Sequence, residues 1–282
     1  MDRREMLAIL GALALQGSAR PSPPFRVGRL KQSVSRWPFA GIPFPDFCRA
    51  AQAMGIVAID LLGRDDWERV KEYGLICSMG YPYPGERRGF IQTGFNDPAN
   101  HALLLGELET AIPLAARAGV PNVIAMFGNR RGRPDGEAIA NCIAGLDRIK
   151  ALAEQHRVTI CLELLNSKVD HADYQGDRTA FGVAVVRGVN SPRVKLLYDI
   201  YHMQIMEGDV IRTIRDNAAH IAHFHTGGVP GRHELDETQE LNWRAVARAI
   251  ADLNFTGYVA HEFMPTKDPL TSLREAVATC TV

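Results

Sequence analysis

The chain has 282 residues, 46% of them apolar and 23% charged, an ordinary balance for a globular protein and enough length for one large core. Lys plus Arg and Asp plus Glu both number 32, so the formal net charge is zero and the basic surplus typical of a nucleic-acid binder is missing overall. The five cysteines, Cys48, Cys77, Cys142, Cys161 and Cys280, are odd in number and irregularly spaced. That excludes a disulfide framework and zinc-finger spacing, and leaves them as small apolar side chains.

The first residues stand apart. Arg3-Arg4 precedes an apolar run over residues 7–15, small residues Gly17-Ser18-Ala19, and the linker-like Pro21-Ser22-Pro23-Pro24. Basic, apolar, small is the layout of a secretory signal, and the arginine pair is similar to a twin-arginine signal, so export to the periplasm is expected. An uncleaved N-terminal helix on a cytoplasmic protein is the alternative. The apolar run is too short to span a bilayer of ~30 Å, so no stable membrane insertion is expected. Residues 1–24 are assigned to this segment and residues 25–282 to one catalytic domain.

After Pro24, short apolar runs alternate with longer amphipathic ones. Strands are predicted over residues 25–34, 56–61, 75–79, 122–127, 158–164, 194–199, 221–225 and 258–263. Helices are predicted over residues 45–54, 67–72, 98–118, 137–156, 178–187, 210–217, 243–253 and 269–279. A long loop over residues 80–96, rich in Gly, Pro, Tyr and Arg, follows the third strand. Loops of that length are often functional. Eight strand-then-helix units with no shift in composition imply a parallel sheet closed into a single (β/α)8 TIM barrel. No glycine-rich dinucleotide or phosphate fingerprint follows the first strand.

In such a barrel the chemistry sits at the C-terminal ends of the strands. Four successive strands there finish on a group that can bind a metal: Glu163, Asp199, His225 and Glu262. Each alone has an ordinary explanation, as a solvated carboxylate, a helix cap or a core histidine. Together, three carboxylates at one barrel mouth repel each other and are costly to desolvate. A single divalent metal ion resolves that cost. Carboxylates with one imidazole suit Mn2+ or Mg2+ first, with Co2+ or Zn2+ also compatible, and the lack of a cysteine ligand disfavours a structural zinc site.

These residues carry a resemblance. Glu163 in Leu162-Glu163-Leu164-Leu165-Asn166, the run Tyr198-Asp199-Ile200-Tyr201-His202, and His223-Phe224-His225-Thr226-Gly227-Gly228 resemble motifs of the sugar phosphate isomerase/epimerase superfamily of xylose isomerase-like TIM barrels. So do Pro230-Gly231-Arg232-His233-Glu234, Glu240-Leu241-Asn242-Trp243, and Gly257-Tyr258 leading to His261-Glu262. Within that superfamily the chain is most similar to the hydroxypyruvate isomerases, over nearly everything after the signal-like segment. The resemblance implies that Glu163 and Glu262 are the acid/base pair and also metal ligands, and that Asp199 and His225 complete the ligand set. It implies that His202 and Arg232 hold substrate oxygens. Two departures pull apart: hydroxypyruvate isomerases are expected to carry Gln where His225 stands, while ketose 3-epimerases carry His there but a further Glu where this chain has Val169.

The chemistry expected of such a site is isomerisation of a small hydroxy-carbonyl compound through an enediolate. Two carboxylates take and return the proton, and a cation offsets the developing charge. Arg232 suits bidentate pairing with a substrate carboxylate, and His233 is a further substrate-binding candidate that, with Glu234, can instead orient neighbours. A loop salt bridge for Arg232 and a structural His202 are the alternatives. Trp37 and Phe39 suit either the pocket wall or the core, Tyr81 and Tyr83 a lid, and Arg130, Arg131 and Arg133 either an anion site or a solvated loop. A ketose 3-epimerase on the same barrel and an exported sugar or sugar-acid binding protein are competing readings. A DNA-repair endonuclease of related fold would need more ligands and a basic groove. The expected partner is a small molecule, with no nucleic acid; barrel surfaces commonly associate, so a homo-oligomer stays open.

Overall fold

A computed structural model describes residues 28–85 and 87–282. The signal-like segment assigned to residues 1–24 lies outside the described residues.

Eight parallel strands close into one barrel in chain order, β1 pairing with both β2 and β8. They are β1 Lys31–Ser35, β2 Ala58–Leu62, β3 Ile76–Gly80, β4 Asn122–Met126, β5 Thr159–Leu164, β6 Val194–Asp199, β7 Ile221–Thr226 and β8 Tyr258–His261. The helices are α1 Phe44–Ala53, α2 Asp66–Arg69, α3 His101–Ala118, α4 Asp135–Asp147, α5 Lys150–His156, α6 Thr179–Val189, α7 Ile200–Met206, α8 Val210–Asn217, α9 Trp243–Asp252 and α10 Pro269–Cys280. Among the described residues no helix is long and apolar enough to cross a membrane.

The strands are short apolar runs because both faces are covered: β2, β4 and β5 are buried at every position. Period-two alternation then decides which side chains meet inside. On β5 Leu164 turns outward, against the place where α6 brings Gly182 close, so Cys161 and Glu163 fall on the inner face with Thr159. The same alternation puts Asp199 of β6, His223 and His225 of β7, and Asp60 of β2 inside the barrel. His261 faces the other way, its Nε2 2.9 Å from Gln32 Oε1 and its Nδ1 3.2 Å from Thr226 Oγ1, which leaves the next residue, Glu262, on the inner face.

Local signals set the helix ends. Asp268 caps α10 by accepting the Thr271 N–H at 2.9 Å, with Pro269 at the first position, and Asn242 caps α9 by accepting the Ala245 N–H at 3.1 Å. Gly119 ends α3 in the left-handed conformation. The long loop after β3 returns to the barrel at Gly94, where a Cβ would lie 2.0 Å from the Phe127 carbonyl carbon. There the Phe95 and Asn96 N–H groups bond the Met126 and Phe127 carbonyls.

Four expectations shift. Residues 25–27 of the expected first strand lie outside the described residues, and among those described it starts at Lys31, not before; the eighth ends at His261, not at 263. The helix expected over 137–156 is two, α4 and α5, separated at Arg148 and the buried Ile149. Helix α7 was not anticipated: it follows β6 with no turn residue between, because the Asp199 side chain caps it by accepting the His202 N–H at 3.2 Å.

Candidate metal centre

Glu163, Asp199, His225 and Glu262 converge where β5 to β8 end, and one donor atom from each lies within 4.8 Å of the others. All four are buried. His225 Nδ1 stands 2.6 Å from Glu262 Oε2, 3.2 Å from Glu163 Oε1 and 3.9 Å from Asp199 Oδ2. Yet that nitrogen has no partner in hydrogen-bonding geometry. A buried lone nitrogen ringed by three carboxylates fits a shared cation better than a set of hydrogen bonds, and hard oxygen donors with one imidazole are a fitting set for a divalent ion.

The electrostatics of the protein without an ion show the same need. Burial pushes Asp199 up to about 7, against the pull of Arg232, and the negative charge of Glu262 adds to the rise. Burial also acts to raise Glu262, but Arg232 and His225 outweigh it and hold the carboxyl down at about 2. Burial acts to lower His225, but Glu262, Asp60 and Glu163 outweigh it and hold the imidazole well above its ordinary value. The imidazolium and Arg232 together supply positive charge that the carboxylates require; an ion bound there would take over from the imidazole proton.

Around the four clustered residues, Trp37 Nε1 donates to Glu262 Oε1 at 2.5 Å, and Arg232 Nη2 reaches both Glu262 Oε2 at 2.5 Å and Asp199 Oδ2 at 3.0 Å. The guanidinium lies between the rings of Trp37 and Tyr201, 5.5 and 5.3 Å from their centroids. Above them opens a cavity of about 300 Å3. Its polar lining comes from Glu163, Glu262, Arg232, His171, Trp37 and Tyr81, and its apolar lining from Leu61, Phe90, Ile91, Ile124, Met126 and Leu165. Asp199 and His225 lie behind the wall and do not line it.

Several expectations change at this level. The bidentate hold of Arg232 on a substrate carboxylate is not available, because its Nε bonds the Glu262 carbonyl and its Nη2 is spent on Asp199 and Glu262; Nη1 alone remains. His233 does not line the cavity: its exposed ring turns to the Met264 carbonyl, Nδ1 to O at 3.0 Å, and it fastens a loop. Glu234 fastens it too, accepting from Thr266 Oγ1 at 2.9 Å and Ser272 Oγ at 2.9 Å. His202 is fully buried, its Nδ1 2.6 Å from Asn166 Nδ2 and its Nε2 without a partner, 3.6 Å from Asp199 Oδ2. Val169 points to solvent, 69% exposed, and the neighbouring Asp170, itself exposed, reaches back to accept from Tyr201 Oη at 2.8 Å. The arginine loop is ion-paired: Arg130 with Asp135 and Asp177, Arg133 with Asp97 and Glu137. Trp37 and Tyr81 are wall residues, while Phe39 is buried against Phe47 and Phe263.

Sequence reasoning missed Asn166, His171, Tyr201 and Asp60. Asn166 and His171 sit in or just after a quoted motif, in a loop whose fold the sequence does not display, and Tyr201 sits in another quoted motif, on the unanticipated helix α7. Asp60 did have a signal, a lone carboxylate inside the apolar run Ala58–Leu62.

The pattern of the xylose isomerase-like TIM barrel family matches residues 38–280. Among curated relatives, a "Putative hydroxypyruvate isomerase" of Homo sapiens is 27% identical over 181 residues, 62% of this chain and 65% of the relative. The chain thus spans just under two thirds of that relative's length. A 2-oxo-tetronate isomerase of Cupriavidus necator is 29% identical over 233 residues, 79% of this chain and 87% of the relative. Among solved structures, an AP endonuclease, family 2, from Brucella melitensis superposes with a TM-score of 0.75 at 23% identity, over 86% of this chain and 97% of that one, which is a likeness of fold.

Proposed function

Since the chain belongs to the xylose isomerase-like TIM barrel family, we propose that it is a metal-dependent isomerase of a small hydroxy-carbonyl compound, hydroxypyruvate being the first candidate. One observation carries this reading. Of the four clustered residues, the two glutamates face the cavity and Asp199 and His225 do not. Two carboxylates exposed to one ligand space suit proton transfer, and two groups buried behind them suit holding an ion. A divalent ion at this site supplies Lewis acidity to the hydroxy-carbonyl group.

The residues do the rest. One of Glu163 and Glu262 removes the proton from the hydroxyl-bearing carbon, giving an enediolate; the proton is returned to the former carbonyl carbon, and the hydroxyl proton passes to the other oxygen. Trp37 and Arg232 fix the Glu262 carboxylate through hydrogen bonds to both of its oxygens. Arg232 Nη1 is the cation left to meet a substrate acid. The apolar wall of Leu61, Ile124 and Met126 keeps water from the reacting carbons. Similarity to an isomerase of 2-oxo-tetronates, and to the human relative, supports the substrate class.

His225 favours a second reading, a ketose 3-epimerase, in which one glutamate takes the proton and the other returns one to the same carbon from the opposite face. A panel of hydroxypyruvate and C6 ketoses with Mn2+ or Mg2+ separates the two. Conversion of hydroxypyruvate alone is expected; conversion of ketoses alone overturns the first reading. Ligand binding without turnover under either metal assigns the barrel to a binding protein instead.

A further inference from the structure

Beneath the metal centre, on the barrel axis, lies a second polar cluster that the proposed chemistry does not use. Asp60 of β2 is fully buried, and so are His223 and His225 of β7. Between β2 and β7 stand β1 and β8, so contact between them crosses the barrel interior. Asp60 Oδ2 lies 2.9 Å from His225 Nε2 and 3.5 Å from Ser35 Oγ; Oδ1 lies 2.6 Å from Ser78 Oγ and 3.0 Å from His223 Nε2. A carboxylate at the centre of a barrel is costly unless its lone pairs are supplied with hydrogens, and here both oxygens are.

The bond to Asp60 has a consequence at the other ring nitrogen. An ionised carboxylate only accepts, so His225 Nε2 must carry a hydrogen to meet it. In the neutral ring Nδ1 then carries the lone pair, and Nδ1 is the buried, unpartnered atom that faces Glu163, Asp199 and Glu262. We propose that Asp60 is the positioning residue of the metal centre: by taking the Nε2 hydrogen of His225 across the barrel, it fixes the tautomer and angle at which Nδ1 meets the ion.

This inference rests on the metal-centre reading and deepens it. The rival for the same residues is a second ion held by Asp60, His223 and His225, whose donor atoms also lie within 4.8 Å of one another. Both His223 nitrogens lack a hydrogen-bond partner, but the bonds already made at Asp60 and His225 disfavour it. Ser78 and His225 already occupy the carboxylate, and a second ion would take His225 through Nε2 while the first takes Nδ1, which requires the ring to lose both hydrogens.

The test is Co2+ loading of the full chain, read by calorimetry and by proton NMR. Wild-type protein is expected to bind one Co2+ and to show one strongly shifted imidazole N–H that is present in H2O and lost only slowly on transfer to D2O, because Asp60 holds it. Asp60→Asn should weaken Co2+ binding by about 10- to 100-fold and shift or lose that resonance. Wild-type binding with no such resonance, two Co2+ per chain of similar affinity, or an Asp60→Asn protein with unchanged affinity and resonance overturns the inference while leaving the metal centre standing. The first two are read on wild-type protein and hold whether or not the variant folds. A wild-type protein that takes up no Co2+ overturns both.

Discussion

The two halves of the cavity wall differ in kind. Strands β5 to β8 and the loops after them supply Glu163, His171, Arg232 and Glu262 to the cavity with one apolar residue, Leu165, and hold Asp199 and His225 behind. Strands β1 to β4 and their loops supply Leu61, Phe90, Ile91, Ile124 and Met126, with Trp37 and Tyr81 as amphipathic members. One half is built for charge and the other for shape and dryness. The division is physically economical. Carboxylates crowded on one side would be neutralised by the proposed ion beside one guanidinium, and the apolar side lowers the local dielectric, which makes those charges effective. The halves are joined below the cavity by the bond from His225 to Asp60.

Breaking the charged half should cost most. With Mn2+ saturating, Glu163→Gln and Glu262→Gln are each expected to lower kcat by about 1000-fold, as loss of an acid/base partner does. Steady-state kinetics on the active member of the substrate panel checks this, and undiminished turnover in both removes the acid/base assignment. Next comes the ion itself. Mn2+ at about 100 times its Kd should stabilise the fold by about 2.7 kcal/mol, a rise in Tm of about 5–10 °C that a chelator reverses.

These effects sit where the sequence was readable. Glu163, Asp199, His225 and Glu262 stand at or beside the ends of successive strands, so a strand pattern alone aligns them. The barrel was legible for the same reason, since fully covered strands read as short apolar runs. The other half of the wall was not legible. Leu61, Ile124 and Met126 look like core residues, and what turns Leu61 toward the cavity is a local irregularity of β2, with φ of 52° at Leu61 and a register shift against β3. Asp60 showed only as a lone carboxylate in an apolar run, and its pairing was hidden because its histidine partners come from β7, across the barrel. Asp170, not Val169, reaches back to Tyr201 through the course of a loop, which no strand periodicity dictates.

Smaller effects test the frame that holds the charged half. Glu234 ties the loop carrying Arg232 to the loop after β8. Burial acts to raise it, but hydrogen bonds from Thr266 and Ser272 prevail and bring it from the ordinary 4.5 down to about 2. A carboxyl lowered on folding contributes stability that is complete above its unfolded value and lost as pH falls toward the folded one. Glu234→Gln should therefore cost about 2 kcal/mol near neutral pH and flatten the stability curve between pH 4.5 and about 2, measured by urea unfolding across that range. The apolar half should respond least in chemistry. Met126→Ala is expected to raise KM by about fivefold with kcat nearly unchanged, about 1 kcal/mol of uniform binding. A fall in kcat as large as that of Glu163→Gln would erase the distinction between the halves.

The most direct test of the whole account is a Mn2+ titration of metal-free protein by calorimetry, wild type beside Asp199→Ala. Asp199 lies behind the cavity wall and caps α7, so circular dichroism first confirms that the variant is folded. The account predicts one Mn2+ per wild-type chain and an affinity at least about 100-fold weaker in Asp199→Ala. Wild-type protein that binds no Mn2+, or a folded Asp199→Ala protein that binds it equally well, would contradict the metal centre on which the proposed function stands.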